Sequence, residues 1–216
     1  LGPPLQCAQE VFPAAETVNC TFEVEYWRWG LDAAQRWRER MGLAREPRWD
    51  EVRSSLAPPA VRDGKYLFAG SATSSYDDPR WRRDHPAVLA ALGVLPGRGL
   101  DAAAMGRTFD WIWDHWNWED TWGWDYPMVA MSAARLGDGR RAVDALLLDT
   151  PKNVYRPNGH NYQRPGLAVY LPGNGGLLYA VAMMAAGWDG APDRQAPGFP
   201  DDGTWTVRWE GLRPAI

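Results

Sequence analysis

Six tryptophans, Trp111, Trp113, Trp116, Trp118, Trp122 and Trp124, stand within fourteen residues, and Glu119, Asp120 and Asp125 are set among and beside them. An indole ring offers a flat apolar face to the C–H side of a sugar and an N–H to one of its hydroxyls, while carboxylates deliver and accept protons. Together these are the groups of a carbohydrate cleft. Six rings at mixed helical spacing cannot all face one interior, although an aromatic seam between helices would draw on the same residues. A further carboxylate, Glu10, lies in the run Leu1-Gly2-Pro3-Pro4-Leu5-Gln6-Cys7-Ala8-Gln9-Glu10-Val11-Phe12. A proline-rich apolar loop withdraws water, and a desolvated carboxyl keeps the proton that a general acid must deliver. The same residue read plainly is a surface glutamate near a terminus. Planar donors and acceptors suited to sugar hydroxyls stand at His85, Asn158, His160, Asn161, Gln163 and Asn174. His160-Asn161-Tyr162-Gln163 is the densest such run, and it could equally satisfy its own loop backbone.

The elements that must position these groups are mostly helical. Phe22, Tyr26, Trp29, Ala33 and Trp37 recur at three- and four-residue intervals, which predicts a long helix capped by Asn19 or Thr21 and ending near Gly42. Shorter helices are expected at Trp49–Leu56, at Ala87–Gly93 behind Pro86, and at Ala102–Trp116 behind Asp101. One opened by Asp125 and Pro127 should run to Leu136, followed by Arg141–Leu148 and Gly176–Ala186. Asp63–Asp84 and residues 149–173 read as long loops, of the kind that carry function when a rigid scaffold holds them. Thr204–Trp209 alternates like a strand.

Composition narrows the choices. The 216 residues are 45% hydrophobic and 23% charged with a net charge of −4, the balance of a folded globular chain without a basic stripe for nucleic acid. No run of apolar residues is long enough for a membrane span, and Leu1-Gly2-Pro3-Pro4 is no signal peptide. The compartment therefore stays open, with a secreted or periplasmic one compatible with a carbohydrate substrate. His85, His115 and His160 form no metal-type pair, so neither metal nor cofactor is expected. Cys7 and Cys20 could be two buried thiols or one bridge.

Four segments carry a resemblance. Gly2-Pro3-Pro4 with Ala8-Gln9-Glu10 is followed by Glu16, Asn19 and Phe22, and then by Arg83-Asp84-His85-Pro86 running on to Leu95-Pro96-Gly97. Next come Gly123-Trp124-Asp125 with Arg135-Leu136-Gly137-Asp138-Gly139, and Tyr170-Leu171-Pro172-Gly173-Asn174-Gly175-Gly176. In that order they resemble segments of the six-hairpin, or (α/α)6-barrel, glycosidases, particularly glycoside hydrolase families 95 and 65. The resemblance implies a mainly α, α/α-toroid fold. Residues 1–190 would be the C-terminal portion of a catalytic barrel with six or seven helices, and 191–216 a tail with a short strand. It implies an inverting hydrolase of bacterial type in which Glu10 is the acid. The missing N-terminal half would come from the same natural protein or from another chain.

One departure bears on the mechanism. Pro172 stands where family 95 has its basic aspartate, and proline accepts no proton. Glu119, Asp125 and Asp120 are the candidates to replace it, although Asp125 also suits a helix N-cap. Trp118, Trp122, Trp124, His85, His160, Asn161, Gln163 and Asn174 would bind substrate. The rival expectations are a carbohydrate-binding relic without turnover, and another toroid enzyme such as a lyase or phosphorylase.

Overall fold

The computed structural model describes residues Leu1 to Ile216. Six α-helices carry the fold: α1 (Thr21–Arg40), α2 (Pro47–Ser55), α3 (Ala102–His115), α4 (Asp125–Arg135), α5 (Gly139–Leu146) and α6 (Leu171–Ala186). Two antiparallel two-residue hairpins interrupt the long loops, β1 (Val61–Arg62) with β2 (Lys65–Tyr66) and β3 (Val154–Tyr155) with β4 (Asn161–Tyr162). The class is mainly α.

The core is built around α4, in which every residue from Asp125 to Ala134 is buried. A helix apolar on nearly all sides is stable only when surrounded, and α4 packs against α5, α6 and the 3-10 segment Ala87–Ala91. Each of its large side chains, such as Met128 and Val129, contributes about 1.5–3 kcal/mol by leaving water. Ser132 Oγ donates to the Leu89 carbonyl at 2.7 Å and ties the 3-10 segment down. Gly176 lets α6 come close, since a Cβ there would lie 2.8 Å from Pro127.

α1 forms where the three- and four-residue aromatic spacing predicts a helix. Its buried positions are Thr21, Val24, Glu25 and Gln35, and the three polar ones are satisfied. Glu25 pairs with Arg28 at 3.1 Å, and Gln35 exchanges hydrogen bonds with the backbone of Glu46. The aromatic stripe is on the outside, with Tyr26 51% and Trp37 61% exposed. Neither Asn19 nor Thr21 caps the helix. Cys20 is the N-cap, while Asn19 accepts from the Leu1 amino group and Thr21 Oγ1 donates to Leu67 O.

Other boundaries moved for local reasons. Ala87–Ala91 is a 3-10 segment rather than an α-helix, because the chain folds back at once, with Gly93 and Val94 donating to Leu89 and Ala90. α2 starts at Pro47, where the Glu46 side chain caps the Arg48 amide. α6 starts at Leu171, because a proline in the first turn lacks only an N–H that would have no partner there. The expected strand at Thr204–Trp209 is absent. No neighbouring strand pairs with it, and the tail lies mostly exposed with Trp205 resting against Phe199.

The segment before α1 is held at many points. Cys7 and Cys20 form a disulfide with Cα atoms 6.4 Å apart, and the Ala8 amide donates to Glu23 Oε1. Gln9 Nε2 donates to Trp81 O at 2.7 Å, and the Phe12 ring lies 4.9 Å from that of Trp81. Glu10 is thereby fixed beside the end of the Asp63–Asp84 loop.

Candidate functional site

Three segments meet at the N-terminus of α4: the Glu10 turn, Asp84-His85, and Trp122-Gly123-Trp124. The buried Asp125 carboxylate organises them. Its Oδ1 lies 2.8 Å from His85 Nδ1, and its Oδ2 accepts the Trp122 amide at 2.8 Å. Asp84 has a left-handed backbone, φ 63°, and every polar group it has is used. Its amide donates to Asp120 O and its carbonyl accepts the Trp116 indole. Its Oδ1 accepts the Trp122 indole at 2.7 Å, and its Oδ2 accepts the Glu10 amide at 2.6 Å. His85 Nε2 stands 3.7 Å from Asp84 Oδ1. Trp122 is therefore clamped by its amide on Asp125 and by its indole on Asp84.

The electrostatics follow from this crowding. Complete burial raises the Asp125 carboxyl to about 6, outweighing the His85 hydrogen bond and charge that pull it down. Burial also opposes the charged imidazole of His85. The Asp125 hydrogen bond and the charges of Asp125, Asp84 and Glu10 outweigh it and hold His85 above its ordinary value. Tyr170, whose ring lies 5.5 Å from Trp122, is pushed up by burial and then by the charges of Asp125, Asp84 and Glu10. Three carboxylates thus share one imidazole and one phenol.

The tryptophan cluster divides in two. Trp122 and Trp124 flank His85, with ring centroids 5.9 and 4.9 Å away. Trp116 is buried against Phe68, and Trp111 and Trp113 pack on Tyr76 and Phe109. Trp118 packs with Trp113 and Tyr126, and its indole points to Trp113 O at 3.4 Å. Four of the six rings therefore belong to the seam along α3, and Trp118 is not brought to the carboxylates. The indole N–H of Trp122 is already engaged by Asp84 Oδ1.

The polar loop residues serve mainly as latches. Gln163 is buried and bridges Gly123 N–H and Thr121 O at 2.9 and 3.0 Å. Asn161 Nδ2 donates to the carbonyls of Lys152 and Val154. Asn174 receives the Asn161 amide and donates to Gly159 O. All three hold backbone, and Asn161 keeps a buried Oδ1 without a hydrogen-bond partner. Asn158 likewise accepts the His160 amide, and His160 keeps a buried Nδ1 without a partner.

Glu10 is exposed, so the desolvation expected from its apolar loop is not realised. Glu119 is exposed and engaged by nothing, and Asp120 forms a rim ion pair with Arg83 at 3.3 Å. Pro172 lies exposed in the first turn of α6. The Cys7, Cys20 and Glu23 grouping offers no metal centre, because both sulfurs are bonded to each other.

Sequence reasoning passed over Asp84 and Tyr170. Asp84 stands in the run Arg83-Asp84-His85-Pro86, and its left-handed φ leaves no mark in the sequence. A surface hollow of about 850 Å³ lies elsewhere, between α3, the α4–α5 turn and residues 199–202. Five of its charged side chains are paired with one another, Arg141 with Asp110 and Asp138, and Arg140 with Asp202. The carboxylate group instead forms an open wall. No family model matches the chain, and comparisons with curated proteins and with solved structures found no match either.

Proposed function

We propose that the chain is part of a glycoside hydrolase that cleaves an oligo- or polysaccharide by general acid/base chemistry with inversion, with Glu10 as the acid. The observation that carries this reading is the convergence of Glu10, Asp84 and Asp125 on His85, with Trp122, Trp124 and Tyr170 as aromatic walls. Exposed Glu10 can reach a glycosidic oxygen, and a fixed indole face gives the neighbouring sugar a defined seat. Asp125, with both oxygens engaged and no exposure, acts by orienting His85 and Trp122 rather than by meeting substrate.

In this reading the fold is an arc of an α/α toroid. Packing runs from α1 through Ala87–Ala91 to α4 and α6, and both ends of the arc carry outward apolar faces. On α1 these are Tyr26 and Trp37, and on α6 they are Leu171, Leu178 and Val181. Helices from the same natural protein or a second chain would cover them and close the open wall into a cleft, since binding sites enclose most of a ligand's surface. The open wall also favours a second reading, carbohydrate binding without turnover.

Hydrolysis of aryl glycosides and oligosaccharides by the chain and by Glu10→Gln separates the two. Turnover of oligosaccharides by the native chain, and binding of them without turnover by the variant, support the hydrolase. Equal binding by both with no turnover from either supports the relic.

A further inference from the structure

A hydrolase of this kind needs a second carboxylate to draw a proton from water, and the position expected from the resemblance is a proline. The surrounding acids can be sorted by what each one touches. Asp125 is sealed, with one oxygen on His85 and the other on the Trp122 amide. Asp120 is tied to Arg83 at the rim, and Glu119 makes no hydrogen bond or ion pair with any of the converging groups. Asp84 remains. Its side chain is 13% exposed, so it lies at the boundary between the packed interior and the open wall. Each of its oxygens accepts one hydrogen bond, from the Trp122 indole and the Glu10 amide, and a carboxylate has about four acceptor sites in all.

We propose that Asp84 is the water-activating carboxylate that works with Glu10. This rests on the hydrolase reading above. The bond from the Glu10 amide to Asp84 Oδ2 brings the Asp84 carboxylate to within about one glutamate side chain's length of the Glu10 carboxyl, and an inverting pair stands roughly 6.5–9.5 Å apart. The clamp on Trp122 fixes the sugar platform to the same carboxylate. In the step, Asp84 takes one proton from water as the water oxygen bonds to the anomeric carbon. The glycosidic C–O bond breaks, and Glu10 gives its proton to the leaving oxygen. The products are a free sugar and an alcohol, with Asp84 protonated and Glu10 ionised until solvent resets them.

The test is steady-state kinetics on an aryl glycoside that the native chain hydrolyses, comparing Asp84→Asn and Asp84→Ala. Asparagine tolerates a left-handed backbone but can accept only one of the two hydrogen bonds from Trp122 and Glu10, so Asp84→Asn should keep the native fold with a somewhat lower melting temperature. The expected result is a fall in kcat of roughly 10²- to 10⁴-fold with little change in KM. Sodium azide, a small anion that replaces the missing carboxylate, should restore turnover in Asp84→Ala and leave the native chain unaffected. Native-like kcat in Asp84→Asn overturns the proposal. So does a loss that azide cannot repair while the Trp122 indole resonance is displaced, because that is the mark of a purely structural residue. If the native chain hydrolyses no glycoside, the hydrolase reading itself fails and Asp84 has no reaction to serve. Activity that is retained in Asp84→Asn removes only the assignment of Asp84.

Discussion

At the scale of single residues, the site depends on close approach and on shared charge. Gly123 is pressed against Asn161, and a Cβ there would lie 1.9 Å from Asn161 Oδ1. Gly123→Ala should therefore cost about 1–3 kcal/mol and shift the Trp122–Trp124 turn, read as a lower melting temperature together with a changed near-ultraviolet tryptophan spectrum. The buried pair makes a second prediction, with a definite sign. Folding raises Asp125 from 3.8 to about 6, so its contribution to stability is complete below its unfolded value and is lost as pH rises through about 6. His85 is also raised, and its contribution is lost as pH rises above its ordinary 6.5. Both act in one direction, so thermal stability should decline between pH 4 and 8, by an amount on the order of 3 kcal/mol for the Asp125 shift. The double variant His85→Gln, Asp125→Asn should flatten that slope, and an unchanged slope would refute the pairing. Of this site, His85, Trp122, Trp124 and Asp125 were legible from residue type and spacing. Asp84 was not, because its importance comes from four hydrogen bonds to residues distant in sequence. Nor could sequence show that Asn161, Gln163 and Asn174 spend their amides on backbone groups.

At the scale of elements, the Cys7–Cys20 bridge controls where Glu10 sits. It closes a loop with a sequence separation of 13, which in the chain-entropy account is worth about 3 kcal/mol. Cys7→Ser together with Cys20→Ser should lower the melting temperature accordingly, and a reducing agent should do the same to the native chain but nothing further to the variant. Helix starts were readable where a proline or aspartate marks them, as at Asp101, whose side chain caps the Ala104 amide, whereas α5, expected from Arg141, begins at Gly139 behind the Asp138 cap. The two hairpins were not readable, because pairs of two residues are too short to leave a periodic signal. The aromatic period of α1 was read correctly as a helix, but the spacing did not tell that the stripe faces outward. Periodicity identifies a stripe, but it does not say whether the stripe's partner lies within the chain. The same limit applies to Thr204–Trp209, where alternation is present and no partner strand exists.

At the scale of the molecule, a mainly α class was legible from helical spacing and caps, whereas ring closure depends on surfaces that face away from the chain. The proposed arc predicts that the isolated chain associates through α1 and α6. Trp37→Lys and Leu178→Lys, both at strongly exposed positions, should reduce self-association and hydrophobic-dye binding without lowering the melting temperature. If either substitution destabilises the fold, that face already has a partner within the chain. The acid role of Glu10 is the centre of the functional account, and leaving-group dependence tests it most directly. For Glu10→Gln, glycosides with strongly activated phenolate leaving groups, which need no proton, should be cleaved at nearly the native rate. Glycosides with alkyl or sugar leaving groups should be slowed by roughly 10²- to 10⁴-fold. An equal loss on both kinds of substrate, or none on either, would contradict the assignment of Glu10 as the general acid.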